Sequence, residues 1–238
     1  MLDFLPSDWR KGMFLGRVQT AEGPSPILVR DGIAYDMSSV APTVAQLADM
    51  LPLPSNSGRR IGSLDSLAMP LLSPVDLQCV KACGVTFAVS ALERVIEERA
   101  RGDAAAASEI RARLEDRVGG SIRNVVPGTA EAAALKGALI EDGLWSQYLE
   151  VAIGPDAEVF TKAPILSSVG PGAPIGIRSD STWNNPEPEI VLLVNAAGAA
   201  IGATVAPDGN LRDFEGRWAL SLGKPKDHNA SCALGPLI

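Results

Sequence analysis

Apolar positions along this chain come first in short runs. Residues 13–18 and 27–29 predict strands. Arg30-Asp31-Gly32 is a turn signal between 27–29 and 33–35, so a hairpin is expected there. Pro42-Thr43 opens a short helix over 44–50 with Thr43 as its cap. Residues 1–54 therefore predict a small β-rich N-terminal module. The stretch 51–70 is rich in Pro, Ser, Asn and Gly, so 55–74 is expected to be a linker ahead of a main domain over 75–238. Residues 80–87 predict a strand that ends at Gly84. Over 88–118, Leu92, Val95, Ile96, Ile110, Leu114 and Val118 share one helical side, with an interruption at Gly102-Asp103. Thr129 caps a second helix over 130–141, which Gly143 ends. Residues 145–153 predict a strand and 158–162 a short buried segment.

The most informative pattern runs from Trp183 to Asp213. Glu187 and Glu189 lead into an apolar run over 190–194. A strand alternates its side chains, so both glutamates share one face with Val191 and Leu193, while Ile190, Leu192 and Val194 take the other. A strand apolar on both faces is expected to be buried. Two like charges entering it require a cation or hydrogen-bond donors. Residues 195–198 are a turn signal, and a hairpin counted from them sets Glu189 opposite Thr204 and Glu187 opposite Ala206. Asp208 then lies at the same end. Three carboxylates from one hairpin suit a hard ion, Mg²⁺ first, or Mn²⁺ or Ca²⁺. The alternative is a solvated acidic strand end or arginine partners such as Arg212 and Arg217.

Composition narrows the class. The 238 residues are 46% hydrophobic, enough for one large domain or one with a small appendage. A net charge of −7 and a pI near 4.8 argue against nucleic-acid binding. The apolar runs fall short of the roughly 20 residues of a membrane helix, and the start lacks a signal-peptide pattern. Cys79, Cys83 and Cys232 are an odd count without zinc spacing, which predicts buried free thiols and a cytoplasmic protein.

Pro186-Glu187-Pro188-Glu189-Ile190, then Gly202-Ala203-Thr204, then Asp208-Gly209-Asn210-Leu211-Arg212-Asp213 resemble the metal motif of the fumarylacetoacetate hydrolase superfamily. Phe160-Thr161-Lys162 resembles that family's lysine-bearing strand, and residues 226–236 resemble its later lysine segment and Gly-Pro turn. The resemblance covers roughly residues 75–238. It implies an α+β fold, a mixed, mainly β-roll that is often dimeric, so a homodimer is expected. It also implies Mg²⁺ or Mn²⁺ on Glu187, Glu189 and Asp208, with Lys226 catalytic and with Lys162, Thr86, Phe87 and Arg212 on the substrate side. Relatives continue past the segment matching 232–238, so the roll is expected to be incomplete at its C-terminus.

One departure bears on the reaction. Hydrolases of this family carry a His–Glu pair that activates water. Here Glu93 matches the glutamate, but Ser90 stands at the histidine position, and the single histidine is His228. The 19-residue spacing from Glu189 to Asp208 resembles the branch that dehydrates 2-keto-3-deoxy sugar acids. The implied reaction is loss of water from such a 2-keto acid through a metal-stabilised enolate, with Glu93 as acid or base and Lys226 steadying the enolate or carboxylate. Lys226 paired with Asp213 or Asp227 is the structural alternative. Two other functions stay open: C–C hydrolysis or decarboxylation of an acylpyruvate or diketo acid, and an inactive truncated fragment or binding module.

Overall fold

A computed structural model describes residues 5–84, 95–96, 99–100, 104–118, 125–215 and 222–238. The chain divides into two compact units. One joins the residues up to Val80 with Thr161–Ile238, and the other is Lys81–Phe160.

In the first unit, β1 (Met13–Thr20), β2 (Gly23–Arg30), β3 (Ile33–Asp36) and β4 (Arg59–Ser63) form an antiparallel sheet in that order. The predicted hairpin is present, with Arg30 paired to Ile33. Its turn needs two left-handed residues, and Asp31 and Gly32 supply them at φ 50° and 75°. Strand β4 falls inside the stretch expected to be a linker. Its pairing with β3, including Ala34 opposite Gly62, makes it a strand despite a loop-like composition. The Arg59 guanidinium also holds Asp36 at 2.7 Å.

Helix α1 (Val44–Asp49) starts where the sequence places it, and Thr43 Oγ1 accepts the Gln46 N–H. Asp76 accepts the Val44 and Ala45 N–H groups at 2.7 and 3.1 Å. Arg17 donates to the Val75 carbonyl and lies 3.8 Å from the Asp76 carboxylate. Beneath the helix, Leu15, Leu28 and Leu47 share a core with Leu193, Ala206 and Leu234. The composition change near residue 54 thus lies inside this unit, whose core draws on both sides of it.

Strands β7 (Asn184–Val194) and β8 (Ala200–Leu211) form a long antiparallel hairpin. Asp49 anchors its tip by accepting the Ala196 N–H at 2.7 Å. The register differs from the sequence count by two: Glu187 faces Asp208, and Glu189 faces Ala206. The turn, closed by Asn195 on Ala199, supplies one residue of the difference, and an irregularity at Leu193/Val194 supplies the other. Burial is also one-sided. Leu193 is buried, whereas Ile190, Leu192 and Val194 are exposed, which corrects the expectation of a strand covered on both faces.

The second unit is helical around one core. Helix α2 (Ala104–Val118) supplies Ile110 and Leu114, and α3 (Ala130–Glu141) supplies Leu135 and Leu139. Thr129 Oγ1 caps α3, and Gly143 follows it at φ 64°. Residues 147–153 form α4 (Gln147–Ile153) rather than the expected strand. Leu149, Ala152 and Ile153 are buried together, a three- and four-residue spacing that a helix satisfies and a strand does not. β5 (Val80–Cys83) pairs with β6 (Val159–Ala163).

Cys232 is buried, but Cys79 and Cys83 are exposed, against the expectation of buried thiols throughout. Among the described residues, no helix is long and apolar enough to cross a membrane.

Asp76→Ala removes two acceptors from the start of α1 and the carboxylate beside Arg17. It is expected to cost about 1–3 kcal/mol, read as a lower urea midpoint with unchanged slope.

Candidate metal centre

The hairpin register determines what the carboxylates meet. Glu187 and Asp208 are direct cross-strand partners on one face, and Glu189 is the next residue along that face. Cβ atoms of such partners are about 5 Å apart, and like charges there destabilise the pair. Asp208 is 6% exposed, so water screens little of this repulsion. Cations have to be close by.

Two lysines and an arginine meet this need. Lys226, on α6 (Gly223–Lys226), donates its Nζ to Glu187 and to Asp208 Oδ2, the latter at 2.8 Å. Lys162, on β6, places its Nζ 2.9 Å from Asp208 Oδ1. Arg212 donates to Asn185 Oδ1 at 2.9 Å and to Glu187 Oε1 at 3.3 Å. It leads α5 (Arg212–Glu215), the helix that follows β8. Lys226 therefore pairs with Glu187 and Asp208, not with Asp213 or Asp227 as the structural alternative had it. Asp213 accepts from Ser181 and Thr182 instead.

Lys162 is 2% exposed and deeply fixed. Its Nζ donates to the Gly209 carbonyl (2.9 Å), the Ser231 hydroxyl (3.1 Å) and the Lys226 carbonyl. An ammonium has three N–H bonds, and these partners use all three. Its contact with Asp208 Oδ1 is thus one of charge, and that buried oxygen accepts no hydrogen bond among the described residues. Gly209 permits this packing, since a Cβ there would stand 2.8 Å from the Ser231 carbonyl oxygen.

Asn210 and Ser231 are site residues that sequence reasoning did not single out. Asn210, fully buried, donates to Glu187 Oε1 at 3.1 Å and to Glu215 Oε2 at 2.6 Å. Ser231 accepts from Lys162 and donates to the Lys226 carbonyl at 2.7 Å. Asn210 carries a signal of a kind: its strand position puts it on the face of Asp208, two residues along. Ser231 carries none, because a loop of residues 227–231 brings it in. His228 Nε2 lies 3.1 Å from the Gly176 carbonyl, a structural placement. Glu93, Thr86 and Phe87 lie outside the described residues.

The charged groups respond as this geometry requires. Burial raises the Glu187 carboxyl, but the Lys226 ammonium, Asn210 and Arg212 outweigh it and hold it below its ordinary range. Burial lowers the Lys226 ammonium, and Asp208 and Glu187 more than reverse that. Glu189 is pushed up by burial and by the charges of Asp208 and Glu187. It has no ion pair among the described residues. Burial also pushes the Cys232 thiol up to about 11.

Among the described residues, no group of three or more His, Cys, Asp or Glu side chains is gathered as a ready metal cage. The donor set nevertheless fits a hard divalent ion. It is all oxygen, Asp208 Oδ1 accepts no hydrogen bond among the described residues although the Lys162 ammonium stands 2.9 Å away, and Glu189 has no ion pair among them.

No family model matches the sequence. Over 81 residues the chain is 40% identical to the 2-dehydro-3-deoxy-D-arabinonate dehydratase of Saccharolobus solfataricus, covering 34% of this chain and 27% of that protein. Over 98 residues it is 36% identical to a probable 2-keto-3-deoxyxylonate dehydratase of Haloferax volcanii, covering 41% and 34%. A solved 2-keto-3-deoxy-D-arabinonate dehydratase, complexed with magnesium and 2,5-dioxopentanoate, aligns with 95% of this chain at TM-score 0.61 and 20% identity. A fumarylacetoacetate hydrolase from Exiguobacterium antarcticum aligns over the same share at TM-score 0.53 and 14% identity. This chain covers 66% of either solved chain. The chain shares an α+β fold with these solved enzymes, one of them a fumarylacetoacetate hydrolase, as the motifs implied. Among the described residues, its four-stranded sheet and two two-stranded pairs do not close into a barrel.

The two shifted groups set opposite limits on stability. Glu187 titrates below its ordinary value of 4.5, so its contribution is present above that pH and is lost as pH falls through the folded value. Lys226 titrates above 10.5, so its contribution is full below that pH and is lost as pH rises through the folded value. In divalent-free buffer, Glu187→Gln is expected to flatten the acid limb of the denaturation midpoint against pH. Lys226→Gln is expected to flatten the alkaline limb.

Proposed function

We propose that this chain carries the metal-binding part of a divalent-metal-dependent lyase that dehydrates a 2-keto-3-deoxy sugar acid. The observation that carries the reading is the Glu187–Asp208 register with Glu189 beside it, three carboxylates on one strand-pair face. The two dehydratases matched by sequence add the reaction class, and the magnesium in the solved dehydratase adds the metal.

Glu187, Glu189 and Asp208 would hold the ion, Mg²⁺ or Mn²⁺. When bound, it supplies Lewis-acid polarisation of a keto oxygen. The chain's own residues supply position and charge. Asn210 and Arg212 grip Glu187 Oε1 and fix that carboxylate's rotation. Lys162 braces the backbone at Gly209 and Lys226, which keeps Asp208 and the α6 lysine at a set separation. Lys226 provides an ammonium for the substrate carboxylate or for negative charge that develops on the keto oxygen. Glu93 is assigned the proton transfer between the C3 position and the departing C4 hydroxyl. The substrate is a small anionic 2-keto acid, and a homodimer in the cytoplasm is the proposed working form.

The full chain is to be mixed with 2-keto-3-deoxy-D-arabinonate, whose only stereocentre is C4 and which is therefore also 2-keto-3-deoxy-D-xylonate, with and without Mg²⁺. Loss of water, followed by mass spectrometry, is expected to require the metal. Glu187→Ala should lower the rate at least about a hundredfold. Pyruvate release from an acylpyruvate, with no dehydration of the sugar acid, would overturn the reading.

A further inference from the structure

The cations around Glu187, Glu189 and Asp208 raise a question of charge. Among the described residues, these three carboxylates are met by three cations: Lys226, Lys162 and Arg212. These six groups sum to zero charge, with Glu215 further out across Asn210. Adding a divalent ion leaves excess positive charge beside the buried Asp208, Lys162 and Lys226, which is unfavourable unless a resident cation withdraws. The carboxylate oxygens are occupied as well. Asn210 and Arg212 hold Glu187 Oε1, Lys226 holds Glu187 Oε2 and Asp208 Oδ2, and Lys162 stands at Asp208 Oδ1. An ion bound about 2.0–2.6 Å from these oxygens would overlap an ammonium that bridges two of them.

The three cations are not equally able to leave. Lys162 has each N–H committed, two of them to backbone carbonyls. Arg212 is tied to Asn185 as well as to Glu187. Lys226 is held differently. Its backbone is fixed, with its carbonyl accepting from Lys162 and Ser231 and its N–H donating to the Leu222 carbonyl. Its ammonium bridges Glu187 Oε2 and Asp208 Oδ2, the place that an ion shared by these two proposed ligands would take. A four-carbon side chain on an anchored backbone can swing its head group without disturbing the fold.

We propose that Lys226 is the resident counter-ion of the metal-free site, and that its ammonium and a divalent ion exchange for Glu187 and Asp208 while Lys162 stays in place. This rests on the metal reading above and adds the order of events to it. The lysine side chain keeps the carboxylates together without metal, and metal entry displaces the ammonium toward the side from which an anionic ligand arrives. Folding then does not depend on metal, and the metal-loaded site acquires an ammonium released from its carboxylate partners.

Calorimetric titration of the full chain with MgCl₂ tests the exchange, using wild type, Lys226→Met and Glu189→Gln, together with melting temperatures in EDTA and in Mg²⁺. Lys226→Met is expected to bind Mg²⁺ at least about tenfold more tightly than wild type, to melt lower in EDTA, and to regain stability in Mg²⁺. Glu189→Gln should bind more weakly. Equal or weaker Mg²⁺ binding by Lys226→Met, with binding intact in wild type, overturns the exchange and leaves the metal reading standing. No Mg²⁺ binding by wild type and by Lys226→Met overturns both. Should the methionine variant not fold, ammonium NMR of wild type decides. The Lys226 Nζ resonance is expected to shift or vanish on Mg²⁺ saturation while that of Lys162 persists, and an unchanged Lys226 resonance overturns the proposal.

Discussion

Glu187 facing Asp208 across β7 and β8 is the constraint from which the rest of the first unit's polar structure follows. Two carboxylates in direct cross-strand register, one of them almost fully buried, cannot both be ionised without compensation. The chain brings cations from three other places: β6, the start of α5 and the end of α6. Each cation fixes its own segment as it arrives. Lys162 ties β6 to the Gly209 carbonyl and to Ser231, and Arg212 ties α5 to Asn185. The electrostatic problem of the hairpin is thus also what organises the segments around it.

Proline sets the register that creates this problem. Pro188 faces Pro207, and neither has an N–H to donate, so this pair must be a non-hydrogen-bonded one. The Glu187–Asp208 pair is then hydrogen-bonded, and the backbone groups of residues 205, 207 and 209 point away from β7. Those outward groups are the ones used. Gly235 donates to the Val205 carbonyl, Gly209 donates to Ser231, and Lys162 reaches the Gly209 carbonyl. Sequence counting missed the register by two because the turn closes Asn195 on Ala199 rather than on residue 198 and because of the irregularity at Leu193/Val194, neither of which is written in the local residue types.

What the sequence revealed and what it concealed divide along the same physical line. Local signals carried well: Thr43 and Thr129 cap their helices, and Asp31-Gly32 turns its hairpin, because each acts within a few residues. The strand alternation that put Glu187 and Glu189 on one face is equally local. Non-local pairing did not carry. Strand β4 exists because β3 offers it an edge, and α4 is a helix because Leu149, Ala152 and Ile153 fit a core built by α2 and α3. The alternative partners considered for Lys226 were local for the same reason. Asp213 and Asp227 are near in sequence, but the hairpin brings Glu187 from 39 residues away.

The two faces of β7 divide its tasks. On the inner face, Val191 and Leu193 pack toward the core shared with α1 and the N-terminal sheet, and the same face ends in the carboxylates. Apolar packing at one end therefore fixes where the charges at the other end must sit, and repulsion cannot be relieved by sliding the strand. A one-residue slip would expose Leu193 and turn Glu187 and Glu189 away from Lys226. The outer face, with Ile190, Leu192 and Val194 exposed, makes no such contribution. Relief has to come from side chains that move while the backbone stays. Of the three cations, Lys226 is the one whose head group bridges two of the carboxylates while its backbone is held by Lys162 and Ser231. A rigid strand pair with one adjustable counter-charge is an arrangement in which binding a cation alters the electrostatics of the site with little change in the fold.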